Sequence, residues 1–280
     1  MTFGERKIRI YSAIMTALAL FGLVGCGGNR PAQHGRSVYD EVTVDVGSSR
    51  VSLRLAKPVS PHPPPFLVVF ASGDGGLDGI SLALLKHLGD QGNWVVGFSS
   101  EEAFQNAVAD SSGTSNYIAA REALSSIIVQ GKRALQMPDG TPVIVTGMSR
   151  GANVVIASAG DPALAPGIMG AVAIALTREF DNLTIPEAAK HRPGVKVDDQ
   201  GRIQTYPALE RLGSIPLAII QSTNDSYVRS AESRRLLGPD TPTRRLYEVE
   251  SSDHSFQGGE AALMRDLDDA MRWIGSFPRR

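Results

Sequence analysis

The chain has 280 residues, of which 42% are hydrophobic and 20% charged, and its formal net charge is -1. Length and composition are those of a globular protein with one large domain or two small ones. The nearly neutral charge provides no global electrostatic basis for binding nucleic acid or an anionic membrane surface, so we expect no nucleic-acid partner. Beyond the N-terminal segment, no run is apolar enough to span a bilayer.

The N-terminus has the layout of a secretory signal peptide. Arg6, Lys7 and Arg9 form a basic segment, Ile10 to Val24 is mostly apolar, and small residues follow. The apolar stretch is too short to make a comfortable transmembrane helix. We therefore predict a signal peptide over residues 1–25, which is absent from the mature protein.

The segment Leu23-Val24-Gly25-Cys26 resembles the lipobox of bacterial lipoproteins. The resemblance implies that the Cys26 thiol carries a diacylglycerol and that the signal peptide is cut just before it. Cys26 is the only cysteine, so no disulfide can form within the chain even in an oxidising compartment. The alternative is an ordinary signal peptide that happens to end near a cysteine.

Residues 26–36 contain Gly27-Gly28-Asn29-Arg30-Pro31 and are predicted to form a flexible tether. The residue after the cysteine is Gly27 and not aspartate. In a Gram-negative host, the lipoprotein resemblance then implies the outer membrane, facing the periplasm. We expect an exported protein that contacts the membrane through a lipid on Cys26.

The remaining sequence alternates between strand and helix patterns. Val38 to Val46 and Arg50 to Ala56 alternate apolar and polar residues around a Gly47 turn, which predicts a β-hairpin. Apolar runs predict further strands at Phe66 to Phe70, Trp94 to Phe98, Val143 to Val145, Ile168 to Leu176, Leu217 to Ile220 and Arg245 to Val249. Helical spacing predicts helices at Ile80 to Leu88, Tyr117 to Leu135, Ala152 to Ala159 and Gly259 to Ile274.

This alternation implies an α/β fold with a mostly parallel central sheet and helices on both faces. The hairpin adds an antiparallel pair at the N-terminal side. We predict a single domain over residues 37–280. Residues 177–214 are rich in charge and proline, so they form a candidate lid or substrate-shaping excursion.

A G-x-S-x-G motif carries the chemistry, in the form Gly147-Met148-Ser149-Arg150-Gly151. A predicted strand precedes the motif and a predicted helix follows it, so Ser149 stands on a tight strand-turn-helix. Glycine is expected at 147 and 151 because side chains there would collide across the turn. The helix N-terminus favours an anion that develops beside Ser149. The alternative is a plain turn with a helix-capping serine.

The motif in this context resembles the nucleophile elbow of the α/β-hydrolase fold, and the element order resembles that superfamily over nearly all of the mature chain. A serine nucleophile needs a base. The resemblance favours His254, which follows the last predicted strand and precedes the closing helix. The other four histidines lie in the tether, a proline-rich loop, a predicted helix and the excursion: His34, His62, His87 and His191. The alternative for His254 is an ordinary surface-loop histidine.

The base needs a carboxylate to orient it. Asp225 lies just beyond a predicted buried strand, and gives the chain order serine, acid, histidine that typifies this fold. Asp225 could instead form an Asx-turn or cap the helix after it. Asp181 is the reserve candidate. Asp253 ranks lower because it is adjacent to His254 and would point away from the imidazole.

An oxyanion hole needs two backbone N–H groups directed at one point. We predict that Arg150 supplies one and that Asp74 supplies the other. Asp74 lies in the glycine-rich turn Ser72-Gly73-Asp74-Gly75-Gly76 after the third strand. A phosphate-binding loop is the alternative, but the turn lacks the lysine of a P-loop and the spacing of a dinucleotide-binding motif.

The turn Ser-Gly-Asp-Gly-Gly also resembles the bacterial virulence-protein VirJ/AcvB-like group. That resemblance implies an exported protein linked to hydrolysis of aminoacylated phospholipids. Members of the group continue the turn with a bulky aromatic residue, where this chain has Leu77.

We expect a serine hydrolase that cleaves a carboxylic ester, such as a lipid or cell-envelope ester, through an acyl-enzyme on Ser149. No metal or organic cofactor is implied. One alternative is a non-catalytic envelope binding protein built on a hydrolase scaffold. Another is an amide or peptide hydrolase, because fold and triad do not separate ester from amide substrates.

Overall fold

The computed structural model describes residues 37–59, 65–105, 115–180, 183–184, 196–199 and 202–278. The predicted signal peptide, Cys26 and the tether lie outside the described residues. So do the reserve acid Asp181 and three histidines, His34, His62 and His191.

The secondary structure follows the predicted alternation of strands and helices. The strands are β1 Ser37–Val46, β2 Ser49–Pro58, β3 Leu67–Ala71, β4 Trp94–Phe98, β5 Ser115–Asn116, β6 Val143–Met148, β7 Ile168–Ile174, β8 Glu179–Phe180, β9 Leu183–Thr184, β10 Ile203–Gln204, β11 Leu217–Ser222 and β12 Arg244–Val249. The α-helices are α1 Gly79–Asp90, α2 Ser100–Gln105, α3 Tyr117–Ala134, α4 Arg150–Ala159, α5 Thr205–Ala208, α6 Ser230–Leu237 and α7 Glu260–Gly275. Short 3-10 helices occupy Ala165–Gly167 and Leu209–Leu212.

Within the described part of the chain, eight strands form the main sheet in the order β1-β2-β4-β3-β6-β7-β11-β12. The six strands from β4 to β12 in that order run parallel. The β1–β2 hairpin is antiparallel, and β2 also pairs antiparallel with β4. The predicted mixed sheet with an N-terminal hairpin is therefore confirmed. Because the parallel strands point the same way, their carboxyl ends meet at one edge of the sheet.

Burial explains the sheet. Every residue of β3, β4, β6, β7 and β11 is buried, as expected for strands covered on both faces. Successive residues of β3 contribute to different sides, with Val69 in one core and Phe70 in the other. Helices α3 and α4 cover the first side, and α1 and α7 cover the second. Each buried large side chain contributes about 1.5–3 kcal/mol relative to exposure.

The candidate excursion, residues 177–214, is described in part. Its final portion packs on the core: Tyr206, Leu209 and Leu212 are buried, and they belong to the same hydrophobic cluster as α3 and α4. The described piece from β10 to the second 3-10 helix is thus part of the globular body. No helix within the described ranges is long and apolar enough to cross a membrane.

Candidate active site

Ser149 occupies the turn between β6 and α4 with φ 53° and ψ -120°. This conformation is strained for any residue with a side chain. Two backbone hydrogen bonds hold it: Ser149 N–H donates to Ile174 O at 2.9 Å, and Ser149 O accepts from Asn153 N–H at 3.1 Å. The Ser149 hydroxyl makes no capping bond to the helix. The side chain is therefore left for another partner.

Both glycines of the motif lie where a side chain would clash with backbone. A Cβ at Gly147 would lie 2.5 Å from the carbonyl carbon of Gly151. A Cβ at Gly151 would overlap the carbonyl oxygens of Ala71 and Ser72 at the end of β3. The sequence predicted crowding across the turn at both glycines, and that reason holds for Gly147. Gly151 is required for a different reason, because α4 begins against the neighbouring strand.

His254 lies in the loop between β12 and α7, and its Nε2 is 2.9 Å from Ser149 Oγ. The side chain is 17% exposed, so it is reached by solvent but largely enclosed. The neighbouring Asp253 does not contact the imidazole. Its Oδ1 accepts from Ser255 N–H at 2.9 Å and Gln257 N–H at 3.1 Å, and so shapes the loop that presents His254.

Asp225 is on the other side of the imidazole, in the loop after β11. Its Oδ2 lies 2.7 Å from His254 Nδ1. Its Oδ1 accepts from Tyr227 N–H at 2.7 Å and from Val228 N–H at 3.2 Å. Asp225 is only 2% exposed. One carboxylate oxygen thus forms the Asx-turn that the sequence left open as an alternative, while the other faces the imidazole.

Gln221 is a site residue that the sequence reasoning missed. It is fully buried in β11, and its Nε2 donates to Asp225 Oδ2 at 2.9 Å and to Val228 O at 2.6 Å. Its Oε1 accepts from Leu176 N–H at 3.0 Å. A glutamine directly after the apolar run Leu217 to Ile220 was the available signal. The amide fixes the acid relative to the end of β7.

These bonds form a closed path around the site. The Ser149 amide is bonded to Ile174 at the end of β7, and Leu176, two residues on, is bonded to Gln221. Gln221 holds the acid, the acid contacts the imidazole, and the imidazole contacts the hydroxyl of Ser149. Ser149 is consequently held at two points of this path, by its backbone N–H at Ile174 and by its hydroxyl at His254.

Tyr227 is a second residue that the sequence did not single out. Its ring centroid is 4.7 Å from that of His254, with an interplanar angle of 62°. Tyr227 is 58% exposed, although its backbone N–H binds the buried acid. An aromatic surface therefore lies beside the imidazole at the mouth of the site.

Tyr206, from the packed part of the excursion, lies on the buried side of this region. Its hydroxyl donates to Ser233 Oγ at 2.7 Å. Burial raises the pKa of the Tyr206 phenol; the bond to Ser233 opposes the rise, and the charges of Asp225 and Glu232 add to it. The phenol therefore stays protonated at neutral pH.

The glycine-rich turn approaches Ser149 closely. A Cβ added at Gly73 would lie 3.4 Å from the Cβ of Ser149. The Gly73 N–H is directed to Ser81 Oγ at 3.5 Å, whereas within the described residues the Asp74 N–H has no acceptor. Arg150 is the first residue of α4, where backbone N–H groups point out of the helix end. The side chains of these two candidates also meet, with Arg150 Nε 2.6 Å from Asp74 Oδ1.

Of the remaining histidines, only His87 falls within the described ranges. It lies in α1 as predicted, and its Nε2 is 2.8 Å from Asp268 Oδ1 in α7, away from Ser149. Among the described residues, no group of three or more His, Cys, Asp or Glu side chains could hold a metal ion.

The geometry around Ser149 suits one kind of chemistry. With Nδ1 protonated, His254 donates to the carboxylate, and its free Nε2 accepts from the serine hydroxyl. An imidazole in this position can take a proton from the hydroxyl and return it to a leaving group. The carboxylate holds the tautomer that this transfer needs.

Comparison with known proteins is informative about fold. No protein-family model matches the sequence, and no curated protein is similar enough to match. Among solved structures, the chain is similar to Est1E from Butyrivibrio proteoclasticus, at 12% identity and a TM-score of 0.58, over 84% of this chain and 98% of that one.

Two further solved structures are similar over most of their length. The esterase domain of a protein from Rhodothermus marinus is 20% identical with a TM-score of 0.55, over 85% of this chain and 99% of that one. An α/β serine hydrolase homologue from Coxiella burnetii is 12% identical with a TM-score of 0.57, over 81% and 95% respectively. At such identities the likeness concerns the fold. Together with the strand order and the elbow, it shows that this chain has the α/β-hydrolase fold.

Proposed function

We propose that the protein is a serine hydrolase that cleaves carboxylic esters through an acyl-enzyme on Ser149. The observation that carries the proposal is the pair of contacts on His254: Ser149 Oγ at 2.9 Å on Nε2 and Asp225 Oδ2 at 2.7 Å on Nδ1. The strained backbone of Ser149 supports it, because such strain concentrates at functional sites. The solved structures that share the fold include an esterase domain.

In the proposed reaction, His254 Nε2 takes the hydroxyl proton as Ser149 Oγ attacks the ester carbonyl carbon. The tetrahedral oxyanion accepts hydrogen bonds from the backbone N–H groups of Asp74 and Arg150. Collapse of the intermediate breaks the bond to the alcohol oxygen, which leaves with the proton from His254. Water then repeats the sequence on the acyl-enzyme, releases the carboxylic acid and restores the serine. Asp225 holds the imidazole in place throughout.

The proposed role of Gln221 follows from its bonds. It keeps Asp225 Oδ2 at the imidazole while Oδ1 is held by the amides of Tyr227 and Val228. A buried carboxylate is costly unless its oxygens are hydrogen-bonded, and here both are. The carboxylate is thereby held at the imidazole without reorganisation during the reaction.

The test is acyl-enzyme formation. The full-length protein is mixed with p-nitrophenyl esters carrying acetyl, octanoyl or feruloyl groups, the last because ferulic acid is bound in a solved structure of Est1E. We expect a burst of p-nitrophenol and a protein mass increased by one acyl group, located on the peptide that contains Ser149. Turnover without an adduct, and unchanged in Ser149→Ala, would contradict the proposal.

A matched pair of substrates separates ester from amide cleavage. A p-nitrophenyl ester and the p-nitroanilide of the same acid differ only in the bond that is cut. We expect kcat/KM to be larger on the ester by at least about 10³-fold, corresponding to about 4 kcal/mol in activation free energy. Equal rates would favour the amide or peptide hydrolase.

We also propose that the protein is a lipoprotein held at a membrane through Cys26. The support is the sequence Leu23-Val24-Gly25-Cys26 after a basic and an apolar segment. Anchoring would keep Ser149 near lipid and cell-envelope esters, which we propose as the substrate class, including the aminoacylated phospholipids of the VirJ/AcvB-like resemblance. Growth of a bacterial host with an alkynyl fatty acid should label the parent chain but not Cys26→Ser. An unlabelled parent would contradict the anchor.

A further inference from the structure

The side chains of Asp74 and Arg150, the residue after Ser149, form an ion pair, with Arg150 Nε 2.6 Å from Asp74 Oδ1. Their backbone N–H groups are the two that we assign to the oxyanion. We propose that the Asp74–Arg150 ion pair is a positioning device that fixes the distance between these two amides. This inference rests on the proposed function and deepens it.

The glycine-rich turn needs such a contact because its outer part is weakly held. The Gly73 carbonyl accepts from Ser72 Oγ at 2.9 Å and Gly76 N–H at 3.2 Å, so the base of the turn is fixed. Asp74 projects beyond it with a side chain 63% exposed, between two glycines. A Cβ at Gly75 would have open space around it. Glycines on both sides allow Asp74 many backbone conformations, and the ion pair favours the one that faces Arg150.

The other end of the pair is rigid. Arg150 begins α4 immediately after Ser149, whose backbone is bonded to β7 and to the first turn of the helix. The Arg150 side chain is 34% exposed, so it lies partly against the protein surface. The ion pair therefore connects the loosely held residue Asp74 to the firmly held residue Arg150.

The effects on kcat and on stability distinguish a positioning role of the ion pair from a structural one. A partly exposed ion pair contributes little to stability. An oxyanion donor contributes far more to the transition state, since removing one lowers kcat by about 10²–10³-fold. A displaced donor should lose part of that effect. We expect breaking the pair to lower kcat about tenfold, to change KM less than twofold and to leave the melting temperature nearly unchanged.

The experiment measures kcat and KM on a short-chain p-nitrophenyl ester for the full-length parent, Asp74→Asn, Arg150→Gln and the double variant. Both single variants should lose kcat, and the double variant should be no slower than the slower single variant, because all three lack the same contact. A charge-swapped protein, Asp74→Arg with Arg150→Asp, should recover at least about threefold over the slower single variant, because it re-forms the pair.

The control is Asp240→Asn. Asp240 Oδ1 is 2.6 Å from Arg234 Nη1, with side chains 50% and 33% exposed, in the loop before the edge strand β12, whereas Asp74 and Arg150 follow the central strands β3 and β6. We expect its kcat to equal that of the parent. Parent-like kcat in Asp74→Asn, additive losses in the double variant, or a lowered melting temperature that accounts for the lost activity would overturn the inference alone. If the Ser149→Ala variant turns over the ester as fast as the parent, the proposed function is wrong, and the inference with it.

Discussion

Ser149 and Gly213 have the same backbone conformation in two very different regions. The φ and ψ angles are 53° and -120° at Ser149, and 53° and -117° at Gly213. Glycine adopts this conformation without steric cost, whereas a residue with a Cβ is strained by about 1–3 kcal/mol. Gly213 only ends a short helical turn on the surface. Ser149 carries a Cβ and so bears the strain, and its hydroxyl lies 2.9 Å from His254 Nε2.

The contacts around Ser149 and Gly213 also differ. Ser149 is held by backbone bonds to Ile174 and Asn153 and by a side-chain contact with His254. Gly213 is exposed; its N–H bonds to Glu210, and a Cβ added there would meet nothing within 4 Å. Gly213 O also accepts from Arg244 Nη2 at 3.0 Å. The two residues therefore differ less in backbone bonding than in the side-chain contact with His254, which only Ser149 makes. The contrast makes separate predictions for activity and for stability.

The largest effect on activity is expected from breaking the contact between Asp225 and His254. Asp225→Asn keeps an oxygen for the amides of Tyr227 and Val228 but cannot hold the His254 tautomer. We expect kcat/KM to fall about 10³- to 10⁴-fold with an intact fold. Asp253→Asn is the matched control, since Asp253 is next to His254 yet bonds only its own loop.

Steady-state kinetics with circular dichroism would check that prediction. A control within about twofold of the parent is expected, because asparagine keeps the Oδ1 acceptor that Asp253 offers to Ser255 and Gln257. If Asp225→Asn stayed within tenfold of the parent, or if Asp253→Asn lost as much, the assignment of the acid would be wrong.

The next effect concerns the packing that supports the turn. Gly151→Ala places a methyl group against the carbonyl oxygens of Ala71 and Ser72. We expect a loss of about 3 kcal/mol in the free energy of unfolding, or roughly 6–12 °C in melting temperature. Gly140→Ala is the control, because a Cβ there meets open space. Equal melting temperatures for the two variants would show that the elbow is not closely packed against β3.

A smaller effect on stability is expected at Gly213. Gly213→Ala introduces a Cβ at a positive φ without any clash, so only backbone strain is added. We expect a loss of about 1–2 kcal/mol and esterase activity equal to that of the parent. Chemical denaturation would measure it. A variant as stable as Gly140→Ala would mean that this conformation costs little, and the argument about Ser149 would fail with it.

The smallest effect has the opposite sign. Ser149→Gly relieves the strain and loses the nucleophile, so we expect no turnover and a gain of about 1 kcal/mol in stability. Ser149→Ala keeps the Cβ and should show no such gain. Parallel melting curves of the three proteins, parent included, decide the matter. A less stable Ser149→Gly protein would contradict the idea that Ser149 stores backbone strain.

Much of the fold could be predicted because burial leaves a direct trace in the sequence. The apolar runs that predict β4 and β11 are buried along their whole length, and the observed strands begin at the expected residues. Helix α6, Ser230–Leu237, was not predicted from its pattern. It buries only Ser230 and Ser233 and carries arginines in its last turn, so no apolar stripe marks it.

In the site, too, some residues could be predicted from the sequence and others could not. Ser149 and His254 could be proposed because a motif and a position in the chain order mark them, and the structure brings them within hydrogen-bonding distance. The contact of Gln221 with Leu176 and Asp225 depends on how β7 and β11 are paired, which no local pattern contains. The same holds for Asp74 and Arg150. Their side chains meet only because β3 and β6 are neighbours in the sheet.

The most direct test of the central claim is labelling of Ser149 by a fluorescent fluorophosphonate, which reacts with activated serines. The full-length parent, Ser149→Ala and His254→Ala are treated side by side, and the modified peptide of the parent is identified by mass spectrometry. We expect a labelled Ser149 in the parent and no label in either variant. A folded parent that remains unlabelled, or a label that persists in Ser149→Ala, would contradict it and would favour a binding protein on a hydrolase scaffold or a different nucleophile.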